Sequence, residues 1–99
     1  MRRYRTDEEA LKEELKDPRE AALYLNAVLE ENDQELLMVA LADVARAHGL
    51  GRMAKRAHLS RMGLYKVLSA HQNPQLGTFL SILEASGITI QFKSKALAA

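Results

Sequence analysis

Between Leu50 and Ser69 the chain reads LGRMAKRAHLSRMGLYKVLS, two short helical patterns in succession without a single acid. Small or apolar side chains recur at Met53, Ala54, Ala57, Leu59, Leu64, Val67 and Leu68. Ala54 and Ala57 allow one helix to lie close against another. Leu59 plugs the turn, and Leu64, Val67 and Leu68 form the stripe of the second helix. Arg52, Lys55, Arg56, Arg61, Tyr65 and Lys66 are then left to face outward. Such a segment is expected to fold as a helix-turn-helix, apolar within and basic without. The basic side suits a polyanion, and it is predicted to be a DNA-binding surface.

The distribution of charge supports this more than the total does. The chain carries 14 Lys and Arg against 13 Asp and Glu, a net charge of +1. Up to Ala45 there are 6 basic and 12 acidic residues; beyond it there are 8 basic residues and one acid, Glu84. Such asymmetry suggests two kinds of partner. The basic half suits phosphate, because each Lys or Arg brought to DNA releases condensed counterions. The acidic half repels DNA and suits a basic protein. Two solvated faces of one small domain would give the same count, and that alternative stays open.

With 99 residues, 47% of them hydrophobic, the chain is expected to form one domain with an additional arm. Such a core leaves little room for a buried catalytic cleft. The absence of cysteine excludes disulfides, thiolate zinc sites and a cysteine nucleophile. His48, His58 and His71 follow no zinc-ligand spacing, and neither metal nor cofactor is expected. No glycine-rich phosphate loop or nucleophile–base pair occurs, and Ser60 reads as a helix cap, so no enzyme is expected. Arg2, Arg3 and Arg5 lead into Asp7, Glu8 and Glu9 rather than an apolar run, unlike a secretory signal. The apolar run Leu36 to Ala42 is too short for a membrane span. A soluble, cytoplasmic protein is the expectation.

Helix punctuation runs through the sequence. Thr6 and Glu9 make a capping box before a charged segment, Asp7 to Lys16, whose apolar side holds only Ala10, Leu11 and Leu15. This weak helix is expected to order against a partner. Asp17-Pro18 supplies a cap and a proline at the first helical position; Ala21, Ala22, Leu25, Val28 and Leu29 then keep helical spacing. Asn32-Asp33 breaks that helix and caps the next, whose core face is Leu37, Ala40, Leu41, Val44 and Ala45 and whose end is Gly49. Two short helices are predicted, from about Gly51 to Ala57 and from Ser60 to about Ala70, with His58-Leu59 as the turn. His71 to Pro74 forms a loop, and a last helix from Leu76 to Ala85 buries Phe79, Leu80, Ile82 and Leu83 before Gly87. Ile88 to Phe92 alternates as a short strand does. A lone strand needs a partner, which a second copy supplies, so Ile88, Ile90 and Phe92 are predicted dimer contacts.

The order of these elements carries a resemblance. It rests on Tyr24-Leu25-Asn26 with Leu29-Glu30, then Ala42-Asp43-Val44-Ala45-Arg46-Ala47 and Gly49, followed by Met53-Ala54 and Leu59-Ser60-Arg61. Leu64-Tyr65-Lys66, Leu68-Ser69, Asn73-Pro74, Thr78, Leu83 and Gly87 complete it. From about Asp17 to Phe92 the sequence resembles the HigA-like addiction-module antidotes, antitoxins built on the Cro/C1-type (Xre) helix-turn-helix. The resemblance implies an all-α, five-helix, lambda-repressor-like domain over residues 17–92. A charged helical arm over 1–16, a short C-terminal β-strand and a flexible tail over 93–99 complete the expected chain.

It also implies a function. Such antitoxins are encoded beside a small basic toxin similar to the RelE/ParE superfamily, bind and neutralise it, and repress their own operon. A homodimer is expected from the lone strand and from the spacing of two recognition helices on DNA, about 34 Å. The helix from Ser60 would be the recognition helix, with Ser60, Arg61, Met62, Tyr65 and Lys66 nearest the major groove. Arg52, Lys55 and Asn73 would complete the DNA contacts. Arg52 stands where many such domains have Gln, and there it would touch phosphate or support the recognition helix. Arg61 is the expected base reader, bidentate to guanine.

Two positions depart from the family pattern. His58 occupies the turn where many helix-turn-helix proteins have Gly, and Gly63 lies inside the recognition helix at a cost of about 1 kcal/mol relative to Ala. Tyr65 reads equally as a DNA contact or as a half-buried core residue, and Lys55, Arg56 and Lys66 also as a solvated face. Met38, Met53 and Met62 read as packing residues. The basic toxin is expected on the acidic side, through Glu8, Glu13, Asp17, Glu20, Glu30 and Glu31. A stand-alone repressor without a toxin, and an interaction module that no longer binds DNA, are the alternative readings.

Overall fold

In the computed structural model, residues 7–69 and 73–95 are described, and they hold six α-helices in the order α1 (Asp7–Glu14), α2 (Pro18–Leu29), α3 (Gln34–His48), α4 (Leu50–Arg56), α5 (Arg61–Val67) and α6 (Leu76–Ala85). Thr6, whose capping box with Glu9 was expected, lies outside the described residues, as do His71 and the last four of the tail. No helix is long and apolar enough to cross a membrane among the described residues.

Local chemistry sets most helix ends. Asp17 accepts a hydrogen bond from the Arg19 amide at 2.9 Å, and Pro18 occupies the first helical position of α2. Asp33 likewise accepts from the Leu36 amide at 3.1 Å and starts α3. Asn32 before it adopts a left-handed φ of 56°, which an Asn tolerates and which turns the chain between α2 and α3. At the end of α6, Ile88 N–H donates to the Leu83 carbonyl and Gly87 N–H to that of Glu84, both at 3.0 Å. This paired closure requires a left-handed residue, supplied by Gly87 at φ 81°.

A shared core joins the helices. Leu41, Val44 and Ala45 of α3 are fully buried at its centre, with Ala21 and Leu25 of α2, Met53 and Ala54 of α4, Leu64 of α5 and Ile82 and Leu83 of α6 around them. α3 packs against α1, α2 and α4, and α4 packs against α5 and α6. The α3 helix is thus the spine, and α4 relays its position to the last two helices. Leu15, just beyond α1, is buried in the same core with Leu11 packed against it, so α1 orders against α3 of its own chain. Leu29 and Leu80, expected in the core, are exposed. Helical spacing sets which side of α2 and α6 is apolar, whereas the reach of neighbouring helices sets how much of that side is covered.

The all-helical class is as expected, but the strand at Ile88–Phe92 is not formed: residues 88–95 have no regular structure, and no strand occurs among the described residues. A strand is stabilised by a ladder with a neighbour, and no strand among the described residues lies beside it. Ile88 instead turns inward as part of the α6 closure and packs on the core. The second short helix also ends at Val67, before the expected Ala70. Both the hydroxyl and the amide of Ser69 donate to the Lys66 carbonyl, at 2.7 and 3.2 Å, closing the last turn tightly.

Candidate nucleic-acid interface

The turn between α4 and α5 is built by hydrogen bonds that the sequence encodes locally. Leu59 N–H donates to the Ala54 carbonyl at 2.8 Å and His58 N–H to that of Lys55 at 3.2 Å, the same paired closure as at the end of α6. Its left-handed residue is His58, at φ 61°, a conformation that costs a non-glycine residue about 1–2 kcal/mol. Leu59 is half-buried against the core and Ala57 is buried, so the turn is held from beneath. Ser60 then starts α5, its Oγ accepting from the Gly63 amide at 2.8 Å. Replacing Ser60 by Ala is expected to cost about 1 kcal/mol, read as a lower urea midpoint at unchanged slope. An unchanged midpoint would mean that the cap contributes nothing.

Gly63 is the amide donor in that cap, and a Cβ there would lie 2.9 Å from Ser60 Oγ. The missing side chain therefore leaves room for the capping hydroxyl, offsetting part of the helical cost of glycine. Leu64 is 0% exposed and anchors α5 from its inner side, with Leu68 buried and Val67 half-buried beside it. On the outer side Arg61, Met62, Tyr65 and Lys66 of α5 are exposed, together with Arg52 and Lys55 of α4. Tyr65 is 57% exposed, which removes its reading as a core residue, and Met62 is 73% exposed rather than packed. None of the four cations Arg52, Lys55, Arg61 and Lys66 has a carboxylate partner among the described residues. The helix pair thus presents a basic surface with one aromatic ring and one thioether on it, fixed by a buried leucine.

Two polar residues of this region are occupied within the chain. Asn73 Oδ1 accepts from Gln34 Nε2 at 2.9 Å, so the predicted DNA contact ties the loop before α6 to the first turn of α3. Arg56, expected to face outward freely, donates from Nη1 to the Ala85 carbonyl at 3.4 Å, at the end of α6 where the helix dipole favours a cation. It lines a cavity of about 510 Å³ with Pro18, His48, His58, Ser81 and Glu84, between the ends of α3, α4 and α6. Among the described residues no three His, Cys, Asp or Glu come together to hold a metal ion.

His48, weighed in the sequence only as a metal ligand, has a buried Nε2 that bonds to no described residue. Burial, and then the positive charges of Arg56 and Arg52, push its proton affinity below the usual value of 6.5. The folded chain therefore binds this proton less readily than the unfolded chain. The associated stability is present above about pH 6.5 and is lost as pH falls through the lower folded value. The urea midpoint is expected to drop between pH 7.5 and 5.5, and His48→Gln should shrink that drop. Equal drops in both proteins would assign the effect to other groups. Tyr24 shows the opposite direction: burial, a 2.8 Å hydrogen bond to Asp43 Oδ2 and that residue's charge push its hydroxyl up to about 12. It clips α2 to α3 from 19 residues away, a distance over which helical periodicity carries no signal.

The predicted acidic contacts Glu8, Glu13, Asp17, Glu20, Glu30 and Glu31 are all exposed. Glu13 is paired with Lys16 at 3.2 Å, and Asp17 is engaged as the α2 cap. Of the predicted dimer contacts, Ile88 is half-buried, Ile90 is exposed and Phe92 is 96% exposed.

A family model described as "Probable addiction module antidote protein" matches residues 6–94. An uncharacterized protein of Haemophilus influenzae is 38% identical over 86 residues, covering 87% of this chain and 89% of that relative. No solved structure matches the chain.

Proposed function

The chain belongs to the family of probable addiction module antidote proteins, and on that premise we propose that it is the antitoxin of a type II toxin–antitoxin module. Membership implies an antidote role and a cognate toxin. In this reading the toxin is a small basic protein of the RelE/ParE kind, neutralised by direct binding rather than by any catalysis, in the cytoplasm.

The chain also represses its own operon, with α4, the His58 turn and α5 acting as a helix-turn-helix of the Cro/C1 type. The observation that carries the DNA-binding part is the outward display of Arg52, Lys55, Arg61 and Lys66 without carboxylate partners, on a helix pair locked by buried Leu64. Arg61 and Tyr65 enter the major groove, Met62 offers an apolar contact to a thymine methyl, and Arg52, Lys55 and Lys66 meet phosphates. Ser60 acts through its cap and Asn73 through the loop it holds. A homodimer presents two such helices about 34 Å apart to a pseudo-palindrome. The exposed Ile90 and Phe92 leave apolar surface for a second copy to cover.

The test is co-purification with the product of the neighbouring gene, together with a growth assay of that gene expressed alone. A stable complex and relief of toxicity are expected; neither, with operator binding retained, would leave a stand-alone repressor. Operator affinity should fall with salt at a log–log slope of about −2.7 per protomer if Arg52, Lys55 and Lys66 each meet a phosphate. A slope near zero would point to an interaction module instead. A concentration-independent monomer mass at low micromolar concentration would overturn the dimer.

A further inference from the structure

The α2–α3 hairpin carries apolar side chains that its own fold leaves uncovered. Leu29, the last residue of α2, is 54% exposed, while Leu36 and Val39 in the first turns of α3 are 40% and 49% exposed. The four-residue connection 30–33 brings Leu29 and Leu36 to one end of the hairpin. Leu36 and Val39, three apart, share a face of α3. Val28 and Leu37 beside them are packed against the core, so this end is supported from within. Three large aliphatic groups left exposed within residues 29–39, on a chain of this size, mark an interaction surface more than scattered exposure does.

The surrounding charge selects the occupant. From Glu20 to Ala45 there are six acids, Glu20, Glu30, Glu31, Asp33, Glu35 and Asp43, and no Lys or Arg. DNA and anionic membranes are repelled by such a segment. A second copy meeting it through a two-fold axis would set the same carboxylates against each other. A partner with a basic face and an apolar recess fits both features. The α1 helix is the poorer alternative, because Leu11 and Leu15 already face the core and its remaining surface is charged without an anchor.

We propose that the α2–α3 end is the docking surface for the basic toxin, with Leu29, Leu36 and Val39 as its apolar anchor and Glu30 and Glu31 as its charged rim. This rests on the antitoxin reading. The acidic contacts are thereby confined to the hairpin, and Glu8 and Glu13 contribute only to the general field.

The test uses the full chain and the purified product of the neighbouring gene, with the dissociation constant measured by calorimetry. Leu29→Ala/Leu36→Ala/Val39→Ala and Glu30→Lys/Glu31→Lys are each expected to weaken the complex about tenfold or more. Glu8→Lys/Glu13→Lys changes net charge by the same amount as the second variant and should stay within about threefold of the parent. Thermal midpoints confirm that each variant folds, as these side chains are exposed. If the parent binds and both hairpin variants bind equally well, or the α1 variant weakens as much, the docking assignment is overturned and the antitoxin reading stands. If the parent does not bind, both fall.

Discussion

Leu64→Ala is expected to destabilise the protein by about 2–5 kcal/mol, lowering its melting temperature on the order of 10–30 °C. Leu64 is fully buried at the middle of α5, a helix of only seven residues. An isolated helix of that length has no stability in water and exists through its packed face. Truncation removes the side chain that fixes α5 and leaves a cavity among the buried residues of the core. The loss takes a large share of the roughly 5–15 kcal/mol that keeps a domain folded. Met62→Ala, two residues away on the exposed side, is the control and should move the melting temperature by less than about 2 °C. Equal melting temperatures for the two variants would show that α5 is not held by its buried face.

Arg61→Ala should act on recognition without acting on stability. Arg61 is the first residue of α5, exposed and without a carboxylate partner among the described residues. As a bidentate reader of guanine it would contribute about 1–3 kcal/mol of discrimination, so that the variant loses roughly 5–150-fold in operator affinity. The loss should be concentrated at one base pair, and substitution of that base pair should no longer matter to the variant. Lys66→Ala should instead weaken all sequences alike and flatten the salt dependence by about 0.9 per protomer. If Arg61→Ala weakens every sequence equally, Arg61 is a phosphate contact. Competition binding to operator fragments at two salt concentrations separates the two roles.

The helix starts and turns were legible because their causes lie within four residues. Asp17 with Pro18, Asp33 and Ser60 satisfy free amides of the next helical turn, and α6 spans the expected Leu76–Ala85. The inner and outer sides of the α4–α5 pair followed from the alternation of small and charged residues, which is a property of helix geometry. His58 stands where the family resemblance puts a turn Gly, and it takes the left-handed backbone that such a turn needs. The early end at Val67 was missed, since a serine two residues on can either continue a helix or close it through its hydroxyl.

What periodicity could not supply was where each apolar stripe stops being covered. Leu29 and Leu80 fit the core spacing of their helices and are exposed, whereas Leu15, in a segment read as a detached arm, is buried. A stripe states which side of a helix is apolar; how far a neighbouring helix extends along it depends on packing between distant segments. The same holds for Ile88 to Phe92, whose alternation calls for a ladder that a single chain does not provide. The Tyr24–Asp43 clip, the Arg56 contact at the end of α6 and the unpartnered His48 arise from pairs brought together only when α2, α3, α4 and α6 meet. Caps, turns and the basic outer side are thus written in short-range order, because hydrogen bonds to adjacent amides and helical spacing need no distant partner. The extent of the core, the place of α1 and the uncovered leucines of the hairpin were settled by the assembled helices, because burial is a property of neighbours.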